Sequence, residues 1–295
     1  MIRVLVTVVA AGSLAACGQE EAPAPSAAPS AVEATAAEHQ HDAPTPSPPA
    51  EVAPRVPVQE RELAYGEAGR RNLVGFLAMP SDAAEPLPGL IVIHEWWGLN
   101  DNIKAMTRRL AGEGYVALAV DLYGGATATT PEKAQALMTA VLTEPDMARA
   151  NLRQAYEYLD KYALAPRVGS IGWCLGGGWS LQTALMLPRD LDAAVVYYGE
   201  ITTDPAKLEP LEVPLLGLFG EQDASIPVRD VQLFRNALSQ LGKNAEVLIF
   251  KGADHAFANP SGGNYQPEAA TEAWEKTVAF LDHNLKLGAA DASSN

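Results

Sequence analysis

The sequence contains little cysteine, no excess of positive charge and no long apolar run. Its 295 residues include two cysteines, Cys17 and Cys174, which disfavours a thiol redox protein because such a protein needs a resolving cysteine beside the reactive one. The formal net charge of −15 disfavours a nucleic-acid partner, which would require clustered Lys and Arg. No apolar run reaches the roughly 18 residues that a membrane-spanning helix needs. The composition is that of a globular protein.

The first residues have the pattern of a targeting segment. Arg3 precedes the apolar stretch "VLVTVVAAGSLAA", which is too short to span a bilayer. It ends in Leu14-Ala15-Ala16-Cys17, which resembles the bacterial lipobox. The resemblance implies that residues 1–16 are a signal peptide and that Cys17 is acylated, anchoring the protein to a membrane. Gly18 in place of Asp points to the outer membrane, facing the periplasm. The alternative is an ordinary secretory signal with an incidental cysteine.

Residues 17–57 are predicted to be a disordered tether behind this anchor. The segment is dominated by Pro, Ala, Ser and Glu and has neither aromatic residues nor apolar periodicity, so it cannot bury enough surface to offset the entropy of ordering. His39 and His41 in "EHQHD" are candidate metal ligands, but two histidines on a mobile tether are more often solvated, and we expect no metal. Residues 288–295 are predicted to be a disordered tail.

Residues 58–287 are predicted to form one α/β domain and a monomer. Short apolar runs such as "GLIVIHE", "YVALAVDLY" and "DAAVVYYG" are typical of parallel strands buried on both faces. Helical spacing separates them, as in Ile103, Met106 and Leu110. "QERELAY" and "NLVGFLAMP" are predicted to open the domain as an antiparallel pair. Strands alternating with helices predict a mostly parallel sheet with helices on both faces.

Cys174 lies where such a sheet carries its chemistry, directly after a strand and before a helix. The string Gly172-Trp173-Cys174-Leu175-Gly176 has the form of the nucleophile elbow G-x-S-x-G with Cys for Ser. The start of the helix would place a positive dipole beside the sulfur and favour the thiolate. A buried inert cysteine in a glycine-rich turn is the alternative. Phosphate binding is disfavoured because the Lys-Ser/Thr pair of a P-loop is missing.

Two later strand ends supply an acid and a histidine in the chain order of α/β-hydrolases. Asp223 follows "GLFGEQ" and His255 follows "FKGAD". His94 is expected to be a hydrogen-bonded structural residue, which leaves His255 as the base. Asp254 is adjacent to His255 and its side chain is expected to point away, so Asp223 is expected to orient the imidazole.

The domain resembles the dienelactone hydrolases (carboxymethylenebutenolidases) in "HEWWGLN", "AVDLYGG", "GWCLGG", "VVYYG", "GEQDASIP" and "ADHAF". The resemblance implies the α/β-hydrolase fold and cofactor-free hydrolysis of an ester or lactone. It assigns Cys174 as nucleophile, His255 as base and Asp223 as its partner. It also implies that Glu95 holds the resting thiol and takes its proton, although a carboxylate there could instead cap the next helix. The oxyanion donors that it implies are the backbone N–H groups of Leu175 and Trp96.

Two departures from the family concern the substrate. Arginines that hold the substrate carboxylate in the family correspond here to Gly124-Gly125 and Asn259. The expected substrate-binding surface is therefore uncharged, with an aromatic rim built from Trp96, Trp97, Trp173 and Tyr123, although for Trp173 core packing is the better prediction. These departures predict a neutral ester or lactone in place of an anionic dienelactone.

The function predicted from the sequence is that of a thiol-dependent esterase or lactonase. The alternative from another class is a non-catalytic, envelope-anchored binding module with a vestigial hydrolase site. The retention of Cys174, His255, Asp223 and Glu95 favours the enzyme, because a decayed site has no reason to keep four matching groups.

Overall fold

The computed structural model describes residues 1–2, 31–39, 42, 44–47, 50 and 52–286. Most of the predicted signal peptide, the lipidation site Cys17, His41 and the predicted tail 288–295 lie outside these residues. In the described part of the chain, no helix is both long enough and apolar enough to cross a bilayer.

An eight-stranded sheet organises the domain, in the order β1-β2-β4-β3-β5-β6-β7-β8. β1 and β2 form the predicted antiparallel pair, β2 is antiparallel to β4, and all remaining pairs are parallel. The predicted α/β fold with a mostly parallel sheet is confirmed. The strands are β1 Val58–Ala68, β2 Arg71–Pro80, β3 Gly89–Ile93, β4 Val116–Val120, β5 Val168–Trp173, β6 Ala193–Tyr197, β7 Leu215–Gly220 and β8 Ala245–Phe250.

The central strands are buried along their whole length, as their continuous apolar sequences predict. Every residue of β3, β4, β5, β6 and β7 is buried, because helices cover both faces of the sheet. The edge strand β8 is only partly buried and correspondingly carries Glu246. The functional loops therefore emerge from a rigid platform at the carboxyl ends of β3, β5, β7 and β8.

The helices begin and end at recognisable signals. Asn100 caps α2 by accepting a hydrogen bond from the Ile103 amide at 3.2 Å. Pro145 occupies the first turn of α4, and Gly242, with φ +65°, follows the end of α7. The helices are α1 Ala31–Glu38, α2 Asp101–Gly112, α3 Pro131–Thr143, α4 Pro145–Lys161, α5 Leu175–Met186, α6 Pro205–Leu208, α7 Val228–Gln240 and α8 Pro267–Leu285.

Part of the predicted tether, residues 31–39, 42, 44–47, 50 and 52–57, belongs to the described residues, and some of these contact the domain. Ala31–Glu38 forms α1, which lies against α3, and the sequence "AVEATAAE" is rich in alanine, the strongest helix former. Beyond α1, the Ser47 hydroxyl donates to the Pro260 carbonyl at 2.7 Å, and the Ser47 amide donates to the Ser261 hydroxyl at 2.9 Å. These contacts join described residues of the segment to the domain.

Candidate active site

Cys174 lies at a strained turn between β5 and α5. Its φ of +53° is in the left-handed region that residues with a Cβ rarely adopt. The flanking glycines are required by close backbone approach, since a Cβ on Gly172 would lie 2.1 Å from the Gly176 carbonyl oxygen. A Cβ on Gly176 would lie 2.2 Å from the Ile93 carbonyl oxygen. The turn has the geometry of a nucleophile elbow.

Asp223 and His255 meet at the same edge of the sheet. Asp223 follows β7, His255 follows β8, and His255 Nδ1 lies 2.9 Å from Asp223 Oδ2. Asp223 is held in turn by the Ile226 amide, which donates to its Oδ1 at 2.7 Å. Asp254 instead accepts a hydrogen bond from the His255 amide at 2.7 Å, so its carboxylate is turned toward the backbone. Since Nδ1 of His255 is engaged by Asp223, Nε2 is the nitrogen left to face Cys174.

The surroundings of Cys174 favour its thiolate. Burial alone would raise the pKa of the thiol, but the charge of His255 and hydrogen bonds from His255 and His39 lower that pKa to about 6. Burial also acts against a charged His255, whereas Cys174 and Asp223 raise the pKa of that imidazole well above its ordinary value. Both shifts favour a thiolate–imidazolium pair over the neutral thiol and imidazole.

Glu95 is buried beside this pair at the end of β3. Burial raises the pKa of the Glu95 carboxyl to about 8, with the positive charge of His39 acting in the opposite direction. The Asn259 amide donates to Glu95 Oε2 at 3.1 Å. The neighbouring His94 is hydrogen-bonded through both ring nitrogens, to the Glu95 carbonyl at 2.6 Å and to the Leu122 amide at 3.1 Å. His94 is thus a hydrogen-bonded structural residue, as predicted.

A second imidazole contacts the nucleophile, although the sequence pattern around it does not predict this contact. His39, directly after α1, places Nε2 3.6 Å from Cys174 Sγ. Its Nδ1 lies 2.5 Å from Asp42 Oδ2. The His39 ring stacks on Trp96 with centroids 4.8 Å apart. Burial works against protonation of His39, but the hydrogen bonds with Asp42 and Cys174 raise its pKa to about 9.

The "EHQHD" string shows that an imidazole is present before the domain, but not that it reaches Cys174. The contact depends on how the chain returns over the sheet, which local sequence does not determine. His39, expected from the sequence to be solvated, is buried. Its potential ligand atom lies within 4.8 Å of those of Cys174 and His255.

A cavity of about 940 Å³ opens beside Cys174 and His255. Much of its lining is apolar and comes from α3, α5 and the loop after β6. Charged side chains also line it, namely Arg149, Glu200, Lys207, Arg229 and Asp230. Arg149 lies 2.8 Å from Asp146, and Arg229 lies 2.9 Å from Asp230, so both guanidinium groups have nearby carboxylates.

The residues predicted to bind substrate lie elsewhere around the site. Trp97 is buried and packs against Trp96 with ring centroids 4.8 Å apart. Tyr123 and Gly125 line a separate cavity of about 820 Å³, because the Asp121 carboxylate accepts both of their amides and folds the loop after β4 back on itself. Asn259 is buried against Glu95. In the described structure these side chains do not form the lining of the 940 Å³ cavity.

The aromatic rim that the sequence predicts is largely interior. Trp96 is fully buried beneath His39, and Trp173 packs against Tyr197 with centroids 5.5 Å apart. Tyr123 donates its hydroxyl to the Trp96 carbonyl at 2.8 Å. Trp179 of α5 is the tryptophan that lines the cavity beside Cys174.

The two predicted oxyanion donors belong to residues that follow β5 and β3. Leu175 is the first residue of α5, so its amide has no acceptor within the helix and is available to a ligand. Trp96 follows Glu95 in the loop after β3, the strand that pairs with β5. Donors in these places are suited to charge that develops on a carbonyl oxygen under attack by Cys174.

Comparison with known proteins agrees with this geometry. The sequence model of the dienelactone hydrolase family matches residues 73–285. The chain belongs to the dienelactone hydrolase family. A relative from Saccharolobus solfataricus, provisionally named a carboxymethylenebutenolidase, is 34% identical over 260 residues, covering 75% of this chain and 98% of its own. One from Escherichia coli K12 with the same provisional name is 31% identical over 223 residues, covering 71% and 82% of the two chains.

A solved structure supports the same family assignment. The crystal structure of a provisionally named dienelactone hydrolase from Klebsiella pneumoniae aligns with a TM-score of 0.66 and 28% identity, covering 76% of this chain and 98% of that one. The α/β-hydrolase fold is therefore confirmed, and the dienelactone hydrolase family identifies the chain as an ester or lactone hydrolase.

Proposed function

We propose that this member of the dienelactone hydrolase family cleaves its ester or lactone through an acyl-enzyme on Cys174. The observation that carries the proposal is the position of Cys174 on a strained elbow, at the start of α5 and beside the His255–Asp223 pair. A thiolate at a helix N-terminus with an adjacent imidazole is the arrangement of an activated nucleophile.

In the first half-reaction, the Cys174 thiolate attacks the substrate carbonyl carbon. The carbonyl π electrons move onto oxygen, and the resulting oxyanion accepts hydrogen bonds from the amides of Leu175 and Trp96. As the tetrahedral intermediate collapses, the bond to the leaving oxygen breaks and protonated His255 supplies its proton to that oxygen. The products are a thioester on Cys174 and an alcohol, which in a lactone stays attached to the acyl group.

In the second half-reaction, neutral His255 takes a proton from water. The hydroxyl oxygen adds to the thioester carbon, the same two amides stabilise the oxyanion, and the C–S bond breaks to return the thiolate. Asp223 keeps Nδ1 of His255 engaged at 2.9 Å, which orients the imidazole in both steps. Glu95 is proposed to take the proton of Cys174 when that residue is present as a thiol, since the pKa of the carboxyl, about 8, lies above that of the thiol, about 6.

A neutral substrate is proposed on the basis of the cavity lining. The amide of Asn259, where the family carries a cation, is already engaged by Glu95. Two of the cations that line the 940 Å³ cavity are paired with Asp146 and Asp230. Apolar side chains such as Leu175 and Trp179 favour an uncharged acyl or alcohol group near the nucleophile.

The acyl-enzyme is tested with p-nitrophenyl acetate and the variant Cys174→Ala. The full chain is expected to release p-nitrophenolate and to gain the mass of one acetyl group on the peptide that carries Cys174. The alanine variant should lose both signals, while His283→Ala, which changes an exposed residue of α8, should retain them. Undiminished turnover by Cys174→Ala would refute the proposal. Substrate binding without turnover by the unsubstituted chain would instead support the vestigial binding module.

We further propose that Cys17 anchors the enzyme in the bacterial envelope, at the outer membrane and facing the periplasm. The support is the lipobox-like Leu14-Ala15-Ala16-Cys17 followed by Gly18. Two or more acyl chains would give stable membrane association. Cys17→Ser should move the protein from the detergent phase to the soluble periplasmic fraction. An unchanged distribution would refute lipidation at Cys17.

A further inference from the structure

We propose that His39, Cys174 and His255 form a binding site for Zn²⁺, and that occupation of this site reversibly blocks hydrolysis. The ligands are Sγ of Cys174 and one ring nitrogen of each histidine. His39 belongs to the segment before the domain and the other two residues belong to the hydrolase site, so the segment completes a metal site that the domain alone lacks.

The distances between the ligand atoms suit a single small metal ion. Zn–S bonds of about 2.3 Å and Zn–N bonds of about 2.0–2.1 Å at a tetrahedral angle place sulfur and nitrogen about 3.5 Å apart. Cys174 Sγ and His39 Nε2 are 3.6 Å apart. The ligand atoms of all three residues lie within 4.8 Å of one another. Side-chain adjustments of about 1 Å would close the set around one ion.

Both histidines carry the carboxylate partner that is characteristic of metal-binding imidazoles. Asp42 engages Nδ1 of His39 at 2.5 Å, and Asp223 engages Nδ1 of His255 at 2.9 Å. Each pairing leaves Nε2 directed toward the thiol. Such carboxylate–histidine pairs fix the ring orientation and raise the basicity of the coordinating nitrogen.

His39 is held in place by several independent contacts. Its ring stacks on Trp96 and meets the ring of His255 edge-on, with centroids 5.2 Å apart. Asp42 is fixed through its other carboxylate oxygen, which accepts the Gly263 amide at 2.9 Å. The side chains of His39 and Asp42 are 1% and 3% exposed. A ligand that is already ordered loses little conformational freedom when the metal binds.

The donor set selects the kind of ion. One thiolate with two imidazoles matches the preferences of Zn²⁺ and disfavours Mg²⁺ and Ca²⁺, which require oxygen ligands. Three protein ligands leave the fourth tetrahedral position open, and the 940 Å³ cavity beside Cys174 and His255 gives water access to that position.

Zn²⁺ at this site would occupy the lone pairs on which catalysis depends. A metal-bound Cys174 is a weaker nucleophile, and a metal-bound His255 cannot transfer a proton. The expected inhibition rests on the proposed acyl-enzyme mechanism, whereas metal binding does not. The two are therefore separable by experiment.

Binding is measured on the full chain with Cys17→Ser, treated with a chelator and then dialysed, so that Cys174 is the single thiol. Competition against a chromophoric chelator should give one Zn²⁺ per chain. Substitution with Co²⁺ should give a thiolate-to-cobalt charge-transfer band and the visible spectrum of a tetrahedral ion. Absence of the thiolate band would overturn the proposal.

Variants identify the ligands. Cys174→Ala should abolish the charge-transfer band, and His39→Ala should weaken Zn²⁺ binding by at least about tenfold. Asp42→Asn should weaken it by about 10–100-fold, the usual effect of losing an outer-shell partner. His283→Ala is the matched control and should bind as tightly as the parent chain. Equal Zn²⁺ affinity in the parent chain and in His39→Ala would overturn the site even if both bind the metal.

Hydrolysis of p-nitrophenyl acetate by the same preparations tests the consequence. The parent chain should lose activity in step with Zn²⁺ occupancy and recover it when chelator is added. In His39→Ala the Zn²⁺ concentration for half-inhibition should rise at least about tenfold, matching the loss of Zn²⁺ affinity in that variant. Site-specific binding with no loss of activity would overturn the inhibitory role. Normal binding by a chain that shows no metal-free hydrolysis would refute the proposed function and leave the metal site standing.

Discussion

The side-chain amide of Asn259 donates a hydrogen bond to the Glu95 carboxyl at 3.1 Å, and both side chains are buried. Asn259 occupies the position at which the family resemblance predicts a cation that holds the substrate. In this protein the side chain at that position donates its hydrogen bond to the Glu95 carboxyl. A neutral donor stabilises a charged Glu95 less than an arginine would, which is consistent with the raised pKa of this carboxyl.

Replacement of Glu95 by glutamine should stabilise the protein increasingly as pH rises. Burial raises the pKa of Glu95 from 4.5 to about 8 in the folded protein, so folding disfavours the ionised form. The free energy of unfolding should therefore fall between about pH 4.5 and pH 8 through this group and change no further above it. Each pKa unit corresponds to about 1.36 kcal/mol, so Glu95→Gln should gain several kcal/mol over the parent at pH 9 and little at pH 4.

Urea unfolding of the metal-free full chain between pH 4 and pH 9 measures this difference. Glu67→Gln, the same substitution at an exposed position of β1, is the matched control. A Glu95→Gln difference that is constant across this range would contradict a raised pKa for Glu95.

Alanine at Gly172 should destabilise the turn that holds the nucleophile. Its Cβ would lie 2.1 Å from the carbonyl oxygen of Gly176 and 2.3 Å from the carbonyl carbon, so backbone must move. Overpacking of this kind costs about 1–3 kcal/mol or more in the free energy of unfolding. Esterase activity should fall further than stability alone explains, because the same movement displaces Cys174.

Gly178→Ala, one turn into α5, is the comparison for Gly172→Ala. Its Cβ would approach the Glu200 amide nitrogen to 3.2 Å, a contact that small adjustments relieve, and alanine favours the helix. Its change in the midpoint of urea unfolding should be the smaller of the two. Equal midpoints for both variants would contradict the role assigned to Gly172.

The fold and the core of the site follow from local sequence patterns. Continuous apolar runs predict β3 and β5, and in a parallel sheet the residues after such strands share one edge. The sequence pattern alone therefore predicts that Cys174, Asp223 and His255 lie close together. The glycines at 172 and 176 predict the tight turn because the elbow leaves no room for a Cβ at either position.

The parts that the sequence does not predict depend on contacts between distant segments. His39 reaches Cys174, 135 residues later in the chain, through α1 and a run of hydrogen bonds to the loop at 259–263. Each bond is polar and joins residues more than 200 positions apart, so apolar periodicity does not predict it. Trp97 and Tyr123 are aromatic, as expected of a binding rim. Residue type does not determine on which side of the loops after β3 and β4 each side chain lies.

Two arginines that line the substrate cavity lie beside carboxylates. Arg149 and Arg229 line it, but each lies within 2.9 Å of a carboxylate and has a substantially exposed side chain. Exposed ion pairs of this kind contribute little net attraction, because water screens them and the partner carboxylate opposes binding of a second anion.

Neutral short-chain esters should therefore be better substrates than the dienelactone anion. Loss of a charge-assisted arginine–carboxylate contact removes about 1.5–3 kcal/mol, or more than tenfold in affinity, and two such positions are replaced here. We expect kcat/KM for p-nitrophenyl acetate to exceed that for the dienelactone anion by more than about tenfold in the metal-free enzyme. The double variant Arg149→Gln, Arg229→Gln should alter this ratio by less than about fivefold, since exposed pairs contribute about 0.5 kcal/mol each, or about 1 kcal/mol together. A preference for the anion that disappears in the double variant would mean that these arginines bind the substrate carboxylate, and the proposal of a neutral substrate would be wrong.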